Sequence, residues 1–196
     1  MSSAIQLGIA QTEEDLHQIL RLQKLNLKNE ISEQTKKEQG FLTVNHKIEE
    51  LRLMLRTTPQ IVAKENDQII AFALAMLPDL GKLIADLNPM FMILEGLSWN
   101  SKSLKSYQYY VMGQICVDAG FRGQGIFDQL YQKHKEIYSA NYDLCITEIS
   151  TSNTRSQKAH ERVGFKTIHT HLDHVDNWNV VAWEFKVWDR QLKKYL

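Results

Sequence analysis

Residues 114–127 read Gln114-Ile-Cys-Val-Asp-Ala-Gly-Phe-Arg-Gly-Gln-Gly-Ile-Phe127. The apolar run that ends at Val117 predicts a strand over residues 109–117, and the spacing after Gly125 predicts a helix over residues 126–140. Three glycines, at positions 120, 123 and 125, separate the two elements. Glycine lets the backbone curl and turn successive N–H groups outward at the positive end of the helix dipole. Such a turn is typical of a phosphate-binding site.

Two common phosphate-binding loops do not fit this turn. The loop of nucleotide hydrolases needs Lys-Ser/Thr after its glycines, and no such pair follows Gly125. The dinucleotide fingerprint Gly-x-Gly-x-x-Gly also fails, because Gly123-Gln-Gly125 is followed by Ile126, Phe127 and Asp128. A strand-to-helix turn that binds no ligand is the structural alternative.

The segments on both sides of the turn alternate between strand and helix patterns. Before it we expect a strand near residues 5–9, a helix from the Thr12 cap to about Leu27, a helix over 47–56, and strands over 61–64 and 69–77. Residues 28–40 predict an exposed loop or short helix, and residues 79–97 are ambiguous. After the turn we expect a strand over 143–150, a helix from Asn153 to Val163, and a hairpin of residues 166–174 and 180–187. This order predicts an α/β fold with parallel strands and right-handed crossovers.

Composition excludes several classes of protein. The chain has 196 residues, with 23 Lys plus Arg against 23 Asp plus Glu, and this balance argues against a nucleic-acid partner. The longest apolar run, over residues 69–77, is too short to span a membrane. The two cysteines lie in apolar runs and do not indicate a disulfide framework. We therefore expect one cytoplasmic domain over residues 1–196.

Two segments carry a resemblance to a known family. Arg122-Gly-Gln-Gly-Ile-Phe127 resembles the Gln/Arg-x-x-Gly-x-Gly/Ala loop with which GNAT superfamily N-acetyltransferases bind the pyrophosphate of coenzyme A. Phe127 departs from that pattern, because the family usually has Gly or Ala there. Asn153-Thr-Arg-Ser-Gln-Lys-Ala-His-Glu-Arg-Val-Gly-Phe165 resembles the family's Asn-x-x-(Ala/Ser)…Tyr-Glu-Lys-Leu-Gly-Phe segment.

The resemblance implies a GNAT-type acyl-CoA N-acyltransferase fold, with a central mixed sheet flanked by helices. It also implies an enzyme that moves an acetyl group from acetyl-CoA to a primary amine by direct attack in a ternary complex. The residues that would then bind the cofactor are Ile115, Cys116, Val117, Arg122, Gly123, Gln124, Gly125, Ile126, Phe127 and Asn153. In the family, a strand corresponding to residues 115–117 pairs with the pantetheine arm.

The reaction needs a base for the amine proton and an acid for the departing thiolate. His160 stands where the family often has a Tyr general acid, so the resemblance implies that role for it; the alternative is a histidine that only packs in the helix or contacts the cofactor. Glu148 lies in an otherwise apolar strand and is our candidate base, ahead of Asp118. Gln114 lies near a strand glutamate of some relatives, but an amide cannot act as a base.

Several points stay open at the level of sequence. His169, His171 and His174 could hold a metal, but no cysteine or carboxylate at ligand spacing completes a site, so we expect none. The acceptor is expected to be an amine on a small molecule or peptide, and a homodimer is possible. The alternative function is a non-catalytic domain that binds coenzyme A as a sensor or scaffold.

Overall fold

The computed structural model describes residues 4–185 apart from residues 82, 85 and 86. Its helices are α1 (Glu13–Lys24), α2 (Glu33–Gln39), α3 (Ile48–Thr57), α4 (Pro78–Gly81), α5 (Asn88–Leu94), α6 (Ile126–Tyr138) and α7 (Thr154–Val163). Its strands are β1 (Gln6–Ile9), β2 (Ile61–Glu65), β3 (Gln68–Met76), β4 (Ser98–Trp99), β5 (Lys102–Ser103), β6 (Tyr109–Val117), β7 (Leu144–Ser150), β8 (Lys166–Leu172) and β9 (Asn177–Glu184).

Seven strands form one mixed sheet, in the order β1-β2-β3-β6-β7-β9-β8. Strands β6 and β7 run parallel and are joined through α6, whereas β9 runs antiparallel to both β7 and β8. Short strands β4 and β5 pair separately. A mixed sheet flanked by helices is the predicted fold class, which is confirmed.

The chain divides into two compact units, each built on its own core. The first comprises residues 1–76 and 112–134. In it, helices α1 and α3 pack on β3, and Leu16, Ile19 and Phe72 are fully buried. Residues 1–3 lie outside the described residues. The single domain over residues 1–196 stays a prediction.

The second unit comprises residues 77–111 and 135–196, of which residues 186–196 lie outside the described part. Its core is aromatic: the Tyr110 ring stacks on Tyr138 with centroids 4.4 Å apart and lies parallel to Phe185 at 6.3 Å. Strands β8 and β9 form the hairpin predicted over residues 166–174 and 180–187. Strand β9 ends at Glu184, and positions 186 and 187 of that prediction lie outside the described residues.

Local signals in the sequence account for several element boundaries. Thr12 caps α1 in a capping box, since its hydroxyl accepts from the Asp15 N–H and the Asp15 carboxylate accepts from the Thr12 N–H. Asn66 and Asp67 turn the β2–β3 hairpin with φ of +48° and +64°. Gly164 ends α7 in the left-handed region, with φ of +117°. The predicted Thr12 cap is confirmed.

Two segments differ from simple helical patterns. Helix α1 ends at Lys24, before the expected Leu27, because Leu27 forms a parallel bridge to Leu42 and leaves the helix. The ambiguous segment falls on two short helices, α4, which begins at Pro78, and α5, and Pro89 lies in the first turn of α5, where its missing N–H costs nothing. Within the described residues, no helix is long and apolar enough to cross a membrane.

Burial lowers the pKa of two histidines, one in each unit. His134 of α6 is fully enclosed, and burial lowers its pKa to about 3 despite a hydrogen bond to the Ala73 carbonyl. His160 of α7 is also enclosed, and burial lowers its pKa to about 4 despite a bond to the Ser156 carbonyl. Both rings are therefore neutral at pH 7.

We expect the free energy of unfolding to fall as the pH drops from about 6.5 to 5. Across this window the unfolded chain protonates these histidines at their ordinary pKa of about 6.5, while the folded rings stay neutral. The unfolded state thus binds more protons, so acid favours unfolding. Urea titrations at several pH values measure the slope, and His134→Leu should reduce it. The control His17→Gln, at an exposed position, should leave the slope unchanged; an equal slope in His134→Leu would contradict the account.

Candidate active site

The turn between β6 and α6 forms an open backbone cradle. Gly123 and Gly125 have φ of +77° and +75°, a conformation that favours glycine. The Gly125 carbonyl accepts the bond from the Gln129 N–H at 3.1 Å, so α6 begins there and its first N–H groups point out of the helix end. A Cβ on Gly123 would meet no atom within 4 Å. The cradle therefore has room and donors that fit a pyrophosphate.

Arg122 ties this cradle to the N-terminal helices. Its Nε donates to the Val117 carbonyl at 3.0 Å, Nη1 donates to Gln39 Oε1 at 3.1 Å, and Nη2 donates to Asn26 Oδ1 at 2.6 Å. Asn26 follows α1 and is buried, whereas Gln39 is the last residue of α2. The guanidinium thus has three internal acceptors. Its expected role as a phosphate ligand stays a prediction, beside a structural role that the contacts define.

The predicted pantetheine strand, residues 115–117, is the last part of β6. Ile115 and Val117 are half-buried and alternate with buried Cys116. The parallel pairing of β6 with β7 uses Tyr109–Val111, so residues 115–117 lie beyond the paired stretch. Burial raises the pKa of the Cys116 thiol to about 12, so the thiol stays neutral and cannot serve as a nucleophile.

The Phe127 ring packs against another aromatic ring of α6. Its centroid lies 5.1 Å from that of Tyr131, one helical turn further along α6. The side chain is half-buried against this neighbour, and its backbone stays in the first turn of the helix. Ile126 is buried beneath the turn, whereas Gln124 is exposed. The Phe127 ring therefore has a packing partner within α6.

Glu148, the candidate base, lies in the second unit and is paired with a histidine. Its Oε1 is 2.8 Å from Nε2 of His171, and only about a tenth of each side chain is exposed, 12% and 11%. Burial raises the pKa of the Glu148 carboxyl, while the hydrogen bond and charge of His171 act against that rise. The His171 ring stacks on His169 with centroids 5.9 Å apart. The carboxyl is thus poised to exchange a proton.

His160, the candidate acid, is 2% exposed. Its Nδ1 lies 2.8 Å from the Ser156 carbonyl oxygen, which can only accept, so Nδ1 carries the proton of the neutral ring. The ring edge packs against Phe165. Burial lowers the pKa of His160 to about 4 and opposes the protonated state that an acid needs at pH 7. The acid role stays a prediction, and the contacts favour a packing role.

Asn153 caps α7. Its Oδ1 accepts from the Ser156 N–H at 3.3 Å, and the residue is 5% exposed. The cap explains why this residue type begins the helix. Contact with the cofactor stays a prediction. Across the described residues, no group of three His, Cys, Asp or Glu side chains could hold a metal ion.

Sequence reasoning missed the partners of two site residues. Asn26 and Gln39 are 96 and 83 positions away from Arg122, and no local pattern connects them. The sequence indicates His171 only as a possible metal ligand, although its position on β8 brings it across β9 to Glu148. The alternation of β8 indicates which face His171 lies on, but the register with β7 requires the folded sheet.

Comparison with known proteins identifies the family. The profile of the acetyltransferase (GNAT) family matches residues 16–165. The chain belongs to the GNAT acetyltransferase family. The match includes both the cradle and α7, the two segments whose sequences resemble the family. No protein of curated function matches the sequence significantly.

Solved structures share the GNAT fold at low identity. An N-acetyltransferase from Staphylococcus aureus Mu50 has 21% identity and a TM-score of 0.59, covering 94% of this chain and 100% of its own. A chain of the NatC complex bound to Gag peptide and CoA has 13% identity and a TM-score of 0.64, covering 93% and 99%. AAC(6')-Ib in complex with paromomycin and acetyl-CoA has 15% identity and a TM-score of 0.58, covering 95% and 97%. At these identities the likeness shows the fold alone.

We predict that Arg122→Lys loosens the contact between the cradle and α2. Lysine has one charged nitrogen and cannot reach three acceptors in the fixed fork of a guanidinium. Hydrogen exchange over residues 26–42 should accelerate, and the free energy of unfolding should fall by about 1 kcal/mol. Arg56→Lys, at an exposed position, is the matched control and should change neither quantity. Unchanged exchange near Gln39 in Arg122→Lys would show that the three contacts do not hold the helix.

Proposed function

We propose that this GNAT protein is an N-acetyltransferase that binds acetyl-CoA and passes the acetyl group to a primary amine. The observation that carries the proposal is the open cradle at Gly123 and Gly125, with backbone donors at the start of α6. Three phosphates make coenzyme A strongly anionic, and oriented N–H groups bind such a group without a basic surface. This suits a chain with zero formal net charge.

Backbone groups of β6 would hold the rest of acetyl-CoA. Residues 115–117 continue the strand beyond its pairing with β7, which supports a role in pairing with the amide-bearing pantetheine arm. An N–H of this stretch would polarise the thioester carbonyl as charge develops on its oxygen. The side chains Ile115 and Val117 would keep water from the thioester. Acetyl-CoA supplies the activated acetyl group, and the protein supplies orientation and proton transfer.

The class of acceptor follows the family and is proposed only as an amine. NatC has been solved with a peptide and AAC(6')-Ib with paromomycin, an aminoglycoside, so the shared fold accommodates acceptors of different size. Glu148 stays our proposed base for a proton that the nitrogen loses, because burial raises the pKa of its carboxyl. The cytoplasmic location and the homodimer stay predictions.

We expect acetyl-CoA to raise the melting temperature and to release free thiol when spermidine, lysine, paromomycin or a peptide with a free N-terminus is added. Gly125→Ala should weaken acetyl-CoA binding, because a side chain at φ of +75° strains the cradle by about 1–2 kcal/mol. Gly8→Ala is the matched control, since its Cβ meets nothing within 4 Å. Stabilisation without turnover on any amine would favour a coenzyme A sensor. Absence of stabilisation by any coenzyme A species would contradict both functions.

We predict that Glu148→Gln lowers kcat by about 100-fold or more, as expected for loss of a general base. The amide keeps the size of the side chain and can still hydrogen-bond His171, but it cannot take a proton at neutral pH. Affinity for acetyl-CoA, measured by calorimetry, should change little. Glu184→Gln, on an exposed position of β9, should behave as wild type. Wild-type kcat in Glu148→Gln would remove Glu148 from the mechanism.

A further inference from the structure

Two buried side-chain atoms near Val44 in the first unit lack a hydrogen-bond partner among the described residues. They are Nε2 of His46 and Oε1 of Gln114. The two residues are 2% and 6% exposed. Folded proteins rarely leave buried polar atoms unpaired, and such atoms often mark the place of a ligand or a water. Neither residue belongs to the cradle.

The neighbour of His46 determines which ring nitrogen carries the proton of the neutral imidazole. Its Nδ1 lies 3.0 Å from Oε2 of Glu50, one helical turn away at the start of α3. A carboxylate only accepts, so Nδ1 donates and the unpartnered Nε2 of the neutral ring carries a lone pair. The hydrogen bond from His46 lowers the pKa of the Glu50 carboxyl, which keeps it ionised. A histidine oriented in this way by a carboxylate is a common arrangement for a base.

Gln114 is oriented by a backbone carbonyl. Its Nε2 donates to the Val44 oxygen at 2.8 Å, which leaves Oε1 as the unpartnered end of the amide. Val44 lies two residues before His46, in the segment between α2 and α3. Gln114 directly precedes Ile115 on β6, the strand proposed to bind pantetheine. The segment of Val44 to His46 therefore carries one acceptor atom, His46 Nε2. Through the Val44 carbonyl it also contacts Gln114, whose Oε1 is the second acceptor atom.

The chemistry of the two atoms selects the ligand. Both are hydrogen-bond acceptors, so a ligand that satisfies both must bring donors. A protonated primary amine brings three N–H donors on one atom, whereas an anion or a carbonyl group brings none. A water molecule also has two donors and is the alternative that the experiment must distinguish.

We propose that the acceptor amine binds in its ammonium form against Gln114 Oε1 and His46 Nε2, and that His46 removes its first proton. Gln114 positions the nitrogen, and Glu50 orients the imidazole. The inference rests on the proposed acetyltransferase function. It adds three residues of the first unit that the sequence motifs do not indicate as a group.

The proton account balances with two proton acceptors. An ammonium nitrogen loses two protons when it becomes an amide. The first passes to Nε2 of His46 and then to solvent, which leaves a neutral amine with a lone pair. As the nitrogen–carbon bond forms and the carbon–sulfur bond breaks, the nitrogen releases its second proton to water, and the departing sulfur takes up one proton from water. The products are the acetylated amine, free coenzyme A thiol and one proton in solution.

Access to the two atoms requires a local opening of the chain. Hydrogen bonds from Leu42 to Asn26 and from His46 to Gln23 hold the segment that carries His46, whereas α2 is weakly anchored. Helix α2, just before the segment, buries none of its side chains. Gly40 follows α2 with φ of +75° and can serve as a hinge. Regions with few buried contacts open at low free-energy cost. The guanidinium of Arg122 donates to Gln39 at the end of α2. This hydrogen bond connects the cradle to α2.

The test compares kcat/KM of wild type and His46→Gln at pH 7 and pH 9.5, on whichever amine of the panel above is turned over fastest. His46→Gln should lose about 100-fold at pH 7. Its deficit should shrink to about 10-fold or less at pH 9.5, because the free fraction of an amine whose pKa is about 8 to 10 rises between these two values. His17→Gln is the control and should match wild type at both values.

The outcomes separate this inference from the proposed function. Wild type without turnover on any amine overturns both. Turnover by wild type with a His46→Gln deficit that is absent, or equal at the two pH values, overturns only the assignment of His46 and indicates a water-filled structural site. Unchanged acetyl-CoA affinity in His46→Gln shows that the variant is folded. If it does not bind acetyl-CoA, Glu50→Gln carries the test, with an expected loss of about 10-fold at pH 7 that also shrinks at pH 9.5.

Discussion

The left-handed backbone of Gly123 and Gly125 is the constraint on which the proposed activity depends. It ends β6 and begins α6 within a few residues, so a parallel crossover and an exposed helix terminus arise from the same turn. A side chain at these positions would be strained and would also fill the space where a phosphate fits. The geometry of the turn therefore links the topology of the sheet to the binding of an anionic cofactor.

The charge of Arg122 acts through direct hydrogen bonds to nearby groups. The chain carries no net charge, and Arg122, the cation nearest in sequence to the glycines, donates to Val117, Asn26 and Gln39. Backbone N–H groups at a helix terminus can bind phosphate without a basic surface, and a guanidinium that braces them keeps their direction fixed. The Arg122 guanidinium also contacts α2, which precedes the segment that carries His46. Cofactor and acceptor sites would then be coupled through one side chain.

Sequence patterns predicted what depends on local geometry. Strand β6 has the predicted bounds, the Asn66-Asp67 turn follows from the φ values those residues tolerate, and the Thr12 cap follows from its spacing to Asp15. The pairings of Glu148 with His171 and of Gln114 with Val44 could not be predicted, because they join residues 23 and 70 positions apart. Burial of His160 was also invisible in the sequence, and it reverses the protonation state that the family resemblance suggests.

The central claim is that the turn at Gly123 and Gly125 binds the phosphates of coenzyme A. Calorimetric titration with acetyl-CoA and with acetyl-pantetheine, which lacks every phosphate, tests it most directly. The account predicts that acetyl-CoA binds at least about 100-fold more tightly, a difference of about 2.7 kcal/mol, and that Gly125→Ala removes most of this difference. Equal affinity for the two compounds, or a difference that Gly125→Ala leaves intact, would contradict it.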